Sequence, residues 1–336
     1  MDKKDTYSLF TIKFWRAYLI TMRPYLLFVS GVAGMAGVAD GTNMDVFPTL
    51  GIFLVFFLSY GFGQALTDCF QMDTDSLSSP YRPLVRGIIS KKQVLFVSLI
   101  GLTACCNVLF IFNIRTFILG VLSIIGLATY TFFKRKWWGG PFYNAWIVAL
   151  LPIIGKMTTL GQKGSFYDAV GTGSLLFIVI SVFMSYANFV LMGYFKDISA
   201  DKTSGYNTFC VIFGWKKSAI ASDCLALASI VATGLSLSMS IKHASIVTIS
   251  DYLVSRWFSG VVFLAAVLIL VIAQIGIHRI HEEEKAHKPI SNVVRGFVLL
   301  HLAEICVLRP EWTIPTIIFY GGFEAVFRMR PEERQV

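Results

Sequence analysis

Charge is scarce in this chain of 336 residues. Only 15% are Asp, Glu, Lys or Arg, against about 25% in an average soluble domain. Mean hydropathy is +0.67 and 55% of residues are apolar. These values exclude a water-soluble α/β domain, which would leave long apolar runs with nowhere dry to lie. Cysteine is sparse and unpatterned. Cys105 and Cys106 are adjacent in an apolar run, and Cys69, Cys210, Cys224 and Cys306 are scattered. That spacing excludes a disulfide framework and a zinc site, so all six read as structural thiols. No Asn-x-Ser/Thr sequon occurs. The opening MDKKDTYSLF lacks a small-residue cleavage pattern, so no cleavable signal is expected.

What is present is a series of apolar runs long enough to cross a hydrocarbon core of about 30 Å. They cover roughly 22–39, 46–67, 94–112, 115–133, 143–161, 174–194, 218–241 and 257–277. A last region, 294–328, is interrupted by Arg309–Pro310–Glu311. It reads either as one kinked helix or as a helix followed by a shorter one. The expectation is an all-α polytopic membrane bundle of about nine helices, one domain over 1–336. Gly31, Gly34 and Gly37 form a strip on the first span, which predicts close helix packing.

The net charge of +9 is not a nucleic-acid footprint, because its placement follows the spans. The N-terminal arm 1–21 with Arg23, and segments 68–93, 134–142, 195–217 and 278–293 with Arg295, hold 20 of the 29 basic residues. The alternate loops hold five: Arg115, Lys156, Lys163, Lys242 and Arg256. The positive-inside rule makes the richer side cytoplasmic. The stretch 278–289, HRIHEEEKAHKP, is mixed in charge and reads as a solvated connector with surface histidines. His301 and Glu304, three apart in an otherwise apolar region, are expected to pair with each other.

Two acidic clusters fall on the basic side. In the first, Asp68, Gln71 and Asp75 share one helical face, as do Thr67, Gln71 and Asp75, while Asp73 is turned about 140° from Asp68. In the second, Asp197 and Asp201 are i, i+4 partners. Carboxylates beside a membrane are costly unless paired, hydrated or metal-bound. As hard oxygen ligands they suit Mg²⁺ bridging to phosphate. Cations for an anionic group stand nearby: Arg82 and Arg86 around Pro80-Tyr81-Arg82-Pro83, Lys134 to Lys136, Lys196 and Lys202. An apolar bundle beside such a site accepts an isoprenoid tail and keeps water from an allylic cation.

With these residues in place, the chain resembles the UbiA-type membrane prenyltransferase superfamily over most of its length. The family's second motif, D-x-x-x-D-x-x-x-G, stands here as Asp197, Asp201 and Gly205. Its first motif, N-D-x-x-D-x-x-x-D ahead of a YRP segment, aligns with Thr67, Asp68, Gln71 and Asp75. Another register pairs Gln64 with Asp68 but puts Met72 where an aspartate belongs. Arg23-Pro24 and Tyr130 also resemble family positions. The resemblance implies a central cavity opening near the cytoplasmic side. It implies two or more Mg²⁺ ions held by Asp68, Gln71, Asp75, Asp197 and Asp201 and bridging to diphosphate. Arg23, Thr67, Gln71, Arg82, Arg86, Tyr130, Lys134, Lys196 and Lys202 would bind the diphosphate. Thr67 and Gln71 replace an asparagine and an aspartate, so the first cluster should bind metal more weakly or hold diphosphate by hydrogen bonds.

The function this implies is Mg²⁺-dependent ionisation of an isoprenyl diphosphate within the membrane. The prenyl group then passes to a lipophilic acceptor, an aromatic one among the candidates. The alternative is a UbiA-type terpene cyclase, favoured by the unusual first motif and by 29 phenylalanines whose faces attract carbocations. A non-catalytic membrane binding protein or transporter is the remaining class. Transporters carry midplane charges and repeats. Here the acids gather at one end.

Overall fold

The computed structural model describes residues 6–171, 173–243 and 249–332, with side chains described outside 241–255. Lys3, Lys4 and the Lys242 side chain, which entered the charge reading, lie outside the described residues. Every regular element among the described residues is helical.

The first is α1 (Ile12–Met22), which buries Phe14, Ala17, Tyr18 and Met22. Its apolar face docks on α3, so the arm expected over 1–21 includes an ordered helix. Arg23 then turns left-handed at φ 53, and Pro24, which has no N–H to continue a helix, opens a 3-10 turn over Pro24–Leu26. The chain resumes as α2 (Leu27–Ala39), bent 47° from α1. There follow α3 (Val46–Asp68), α4 (Met72–Ser78), α5 (Lys91–Phe112), α6 (Ile114–Lys134), α7 (Gly140–Thr159), α8 (Phe166–Val170), α9 (Gly173–Gly193) and α10 (Ile198–Thr203). The last four are α11 (Phe209–His243), α12 (Ile249–Arg279), α13 (His287–Leu308) and α14 (Thr313–Arg328).

Seven of these, α3, α5, α6, α9, α11, α12 and α13, are long and apolar enough to cross a membrane. The bent α1–α2 pair makes an eighth if counted as one span. The chain is an integral, multi-pass membrane protein. Helix α7, expected as a span over 143–161, is less apolar than these seven, yet it packs between α2 and α9. Protein shields it from lipid, so its composition is relaxed. Helix α11 is kinked at Gly214 (φ 72, ψ 175), and Lys216 and Lys217 just after the kink are why the unbroken apolar run starts only near residue 218. Of the two shapes expected for 294–328, the structure takes the second. Helix α13 stops at Leu308, a turn covers Pro310–Trp312, and α14 follows with 16 residues.

Burial ranks the helices. In α13, 89% of the apolar window is inside the protein, against 22% in α12, so α13 is central and α12 faces lipid. Within α13, His301 Nδ1 lies 2.8 Å from Glu304 Oε2, and both side chains are fully buried, as expected of the pair. The Ser185 hydroxyl of α9 meets His301 Nε2 at 3.2 Å. The glycine strip of α2 does bring backbones together. A Cβ on Gly37 would sit 1.9 Å from the Pro152 carbonyl oxygen of α7, and one on Gly155 would sit 2.2 Å from the Gly34 oxygen. Neither position has room for a side chain.

Alternating helix directions gather the ends of α3, α6, α9 and α12 and the starts of α2, α5, α7, α11 and α13 at one end of the bundle. The loops there bind one another: Asn207 N–H donates to the Arg135 carbonyl at 3.0 Å, and Ser199 donates to Glu283. At the opposite end Lys156 pairs with Asp40 at 2.7 Å. Arg309 donates to the Ala39 and Gly41 carbonyls at 3.0 and 2.6 Å.

Candidate active site

The sequence reading treated 67–75 as one helical face. Helix α3 instead ends at Asp68, the chain opens at Gln71 (φ −118, ψ 18), and α4 restarts at Met72. Asp68, Gln71 and Asp75 still reach one wall, because the break re-aims α4 rather than extending α3. Asp73 turns outward, 45% exposed, and pairs with Arg135 at 3.1 Å.

That wall belongs to a cavity of ≈ 190 Å³ that runs from the motif end into the bundle. Its mouth carries Arg23, Thr67, Asp68, Gln71, Asp75, Arg82, Tyr130, Lys134, Lys196 and Asp197. Deeper in, it is lined by apolar residues, among them Val55, Leu102, Leu109, Leu127, Val148 and Ile154. Of the residues implied to bind metal or diphosphate, three are not on this wall. Arg86 and Lys202 are exposed beyond it, and Asp201 is buried behind it.

The mouth is an ion-pair network withdrawn from water. Arg23 donates from Nη2 to both Asp68 oxygens, at 3.0 and 3.2 Å. Arg82 sits between two carboxylates, 3.7 Å from Asp68 and in direct contact with Asp75. Gln64 Nε2 donates to Asp68 at 2.7 Å. Lys134 donates to Gln71 Oε1 at 3.0 Å and stands 3.6 Å from Asp201. The Thr74 hydroxyl donates to Asp201 at 3.1 Å, joining the two acidic clusters directly. Burial pushes the Asp75 carboxyl above the ordinary carboxylate range, against the pull of Arg82. Burial does the same to Asp201, against Lys134.

Sequence reasoning missed several wall residues. Gln64 was passed over with the discarded register. Tyr60, Tyr186 and Tyr194 lie inside apolar runs and belong to no motif. Tyr60 and Tyr186 join their hydroxyls at 3.3 Å, and Tyr130 and Tyr194 at 3.1 Å. Only their meeting across helices marks them. Cys105 and Cys106, read as structural thiols, are buried but also line the cavity.

Does this mouth fit Mg²⁺? Among the described residues no three His, Cys, Asp or Glu side chains converge as a ready metal cage. The donor set is nonetheless chemically apt: Asp68, Asp75 and Asp197 with the Gln71 amide are hard oxygens on one wall. Four basic side chains share that wall with three acidic ones. This small excess falls far short of neutralising a diphosphate. A hard divalent cation held by these oxygens would supply the missing positive charge, and Mg²⁺ suits such an oxygen donor set.

Comparison with known proteins places the chain in a family. Residues 27–297 match the model of the UbiA prenyltransferase family. A digeranylgeranylglyceryl phosphate synthase of Pyrococcus furiosus is 26% identical over 233 residues, covering 67% of this chain and 79% of that protein. The apo structure of a UbiA homologue from Aeropyrum pernix K1 superposes with TM-score 0.64 at 16% identity, over 80% of this chain and 94% of that one. A UbiA homologue from Archaeoglobus fulgidus, solved bound to DMAPP and Mg²⁺, gives 0.59 at 18% identity, over 86% and 98%. With 271 of its 336 residues inside the family match, the chain belongs to the UbiA prenyltransferase family.

Proposed function

We propose that this enzyme ionises an isoprenyl diphosphate with Mg²⁺ at the cavity mouth and transfers the prenyl group to a lipophilic acceptor. One observation carries the reading: a single cavity joins a charged mouth, holding carboxylates of both acidic motifs, to an apolar body. The relatives' name, digeranylgeranylglyceryl phosphate synthase, favours a glycerol-based lipid as acceptor. The Archaeoglobus structure with DMAPP and Mg²⁺ supports the donor class.

The chain's own groups divide the work. Asp68, Asp75, Asp197 and the Gln71 amide would hold the metal, with Asp201 setting Lys134 behind them. Bound Mg²⁺ supplies positive charge to the departing diphosphate. Arg23, Arg82, Lys134 and Lys196 donate to its oxygens, and Thr67 and Tyr130 add hydroxyls at the rim. Arg86 and Lys202, outside the wall, contribute a field that draws the anion in. The apolar body seats the tail and excludes water from the allylic cation. The basic excess at this end makes it the cytoplasmic one, and the whole chain would act as one domain.

A second reading, intramolecular cyclisation, is favoured by the aromatics on the wall: Phe56, Tyr60, Tyr130, Tyr186, Phe189 and Tyr194. Incubating purified enzyme with geranyl, farnesyl and geranylgeranyl diphosphates separates the two. Diphosphate release that requires a geranylgeranylglyceryl phosphate or aromatic acceptor supports transfer. A cyclic hydrocarbon or alcohol formed without acceptor supports cyclisation. No release under either condition rejects both.

A further inference from the structure

Asp197 immediately precedes α10, the short helix that carries Asp201. Aspartate there is a favoured helix cap, its carboxylate folding back onto the first free amides. Here it does not: no side-chain cap bond forms, and Asp197 lies on the cavity wall. The amide is satisfied from elsewhere. Glu283, 84 residues further on, accepts the Ser199 N–H at 3.0 Å on Oε2 and 3.2 Å on Oε1, and the Ser199 hydroxyl at 2.5 Å. The segment around Glu283 is anchored rather than free. Ala286 is fully buried in the core. Trp215 donates to the Ile277 carbonyl at 2.9 Å, packs edge-on against His281, and meets Phe195 at 4.8 Å. The connector 278–289 is therefore docked through Glu283, Ala286 and Pro289, while His278, His281 and most of its charged side chains stay exposed, as expected of a solvated stretch.

We propose that Glu283 is a positioning residue for the reaction. It occupies the amide and hydroxyl of Ser199, so the Asp197 carboxylate is left to the cavity instead of capping its own helix. A second, surface cavity of ≈ 310 Å³ borders Glu283 and Ser199 and shares Lys196 and Asp197 with the main one, which puts this contact at the edge of the mouth. The inference rests on Asp197 being a metal and diphosphate group.

The test compares Glu283→Ala, Glu283→Gln and, as a charge control, Glu282→Ala, whose carboxylate pairs with Lys285. Hydrogen exchange of the 198–203 amides, followed without Mg²⁺ or substrate, should quicken roughly five-fold when Glu283→Ala is added to Asp197→Ala, the effect of losing one cap, and by less in Glu283→Ala alone, where the Asp197 carboxylate folds back onto the helix. The Mg²⁺ concentration giving half-maximal diphosphate release should rise by a similar factor, with turnover at saturating Mg²⁺ within about two-fold. Glu283→Gln, which keeps an acceptor oxygen, should recover most of both, and Glu282→Ala should change neither. Exchange that Glu283→Ala leaves unchanged in the Asp197→Ala background overturns the proposal, as does an unmoved Mg²⁺ requirement in Glu283→Ala alone. If Glu283→Ala does not fold, Glu283→Asp, whose carboxylate is one methylene too short to reach the Ser199 amide, replaces it under the same criteria. A wild-type enzyme that releases no diphosphate would instead reject the proposed function, leaving the exchange result to stand alone.

Discussion

The ammonium of Lys134 stands 3.6 Å from the Asp201 carboxylate, with both side chains almost wholly withdrawn from solvent. Lys134 ends α6 and Asp201 lies in α10, so the contact locks the second acidic cluster to the far wall. Its other donation, to Gln71, ties in the first cluster.

Replacing Lys134 by Met should therefore destabilise the protein by about 3–5 kcal/mol, because Asp201 is left buried and unpaired. Thermal unfolding in detergent measures this. Diphosphate release should fall with it, and adding Asp201→Leu should return stability but not activity.

The two aspartates of the second motif should separate experimentally. Asp197 is half-buried on the wall. Asp197→Ala should leave unfolding within about 0.5 kcal/mol while cutting diphosphate release by ~10²-fold or more. Asp201→Asn keeps the Thr74 bond but removes the charge facing Lys134, so both readouts should decline. Full activity in Asp197→Ala would remove it from the site.

Cavity depth should govern chain length. Gly120 lines the inner part, where an added Cβ would lie 3.0 Å from Cys106 Sγ and 3.1 Å from Leu109 Cδ1. A phenylalanine at 120 fills that space. The ratio of kcat/KM for geranyl over geranylgeranyl diphosphate should rise at least about ten-fold.

Gly205 closes α10 at φ +75, donating its N–H to the Lys202 carbonyl. Alanine there meets a left-handed backbone cost of about 1–2 kcal/mol. Since α10 carries Asp201 and follows Asp197, Gly205→Ala should raise the Mg²⁺ requirement more than it lowers saturated turnover. A metal titration distinguishes the two.

Much of the bundle was legible because a membrane imposes simple rules. Apolar length marked α3, α5, α6, α9, α11 and α12, and basic residues marked one end. Helix α1 was not legible, since Lys13 and Arg16 interrupt its apolarity and its stability comes from docking Phe14, Tyr18 and Met22. The first motif was legible as a residue set but not as a shape: a continuous helix and a broken one both bring Asp68, Gln71 and Asp75 to one side. Asp201 shows the converse limit. Its i, i+4 relation to Asp197 suggested a shared face, but Asp197 precedes the helix, so the periodicity does not apply to it. The tyrosine pairs and the Glu283 contact join residues 64 to 126 positions apart, and nothing local announces them.

Arg23 is the one non-glycine residue with positive φ among those described. A left-handed arginine is a standing expense of about 1–2 kcal/mol that glycine at the same hinge would avoid. The bend between α1 and α2 thus has two solutions, one comfortable for the backbone and one that aims a guanidinium at Asp68. This protein has the second. Glycine there would relieve the backbone but strand the buried Asp68 without the donor that holds both its oxygens, a loss of about 3–5 kcal/mol that outweighs the gain, so selection by heat alone would keep the arginine.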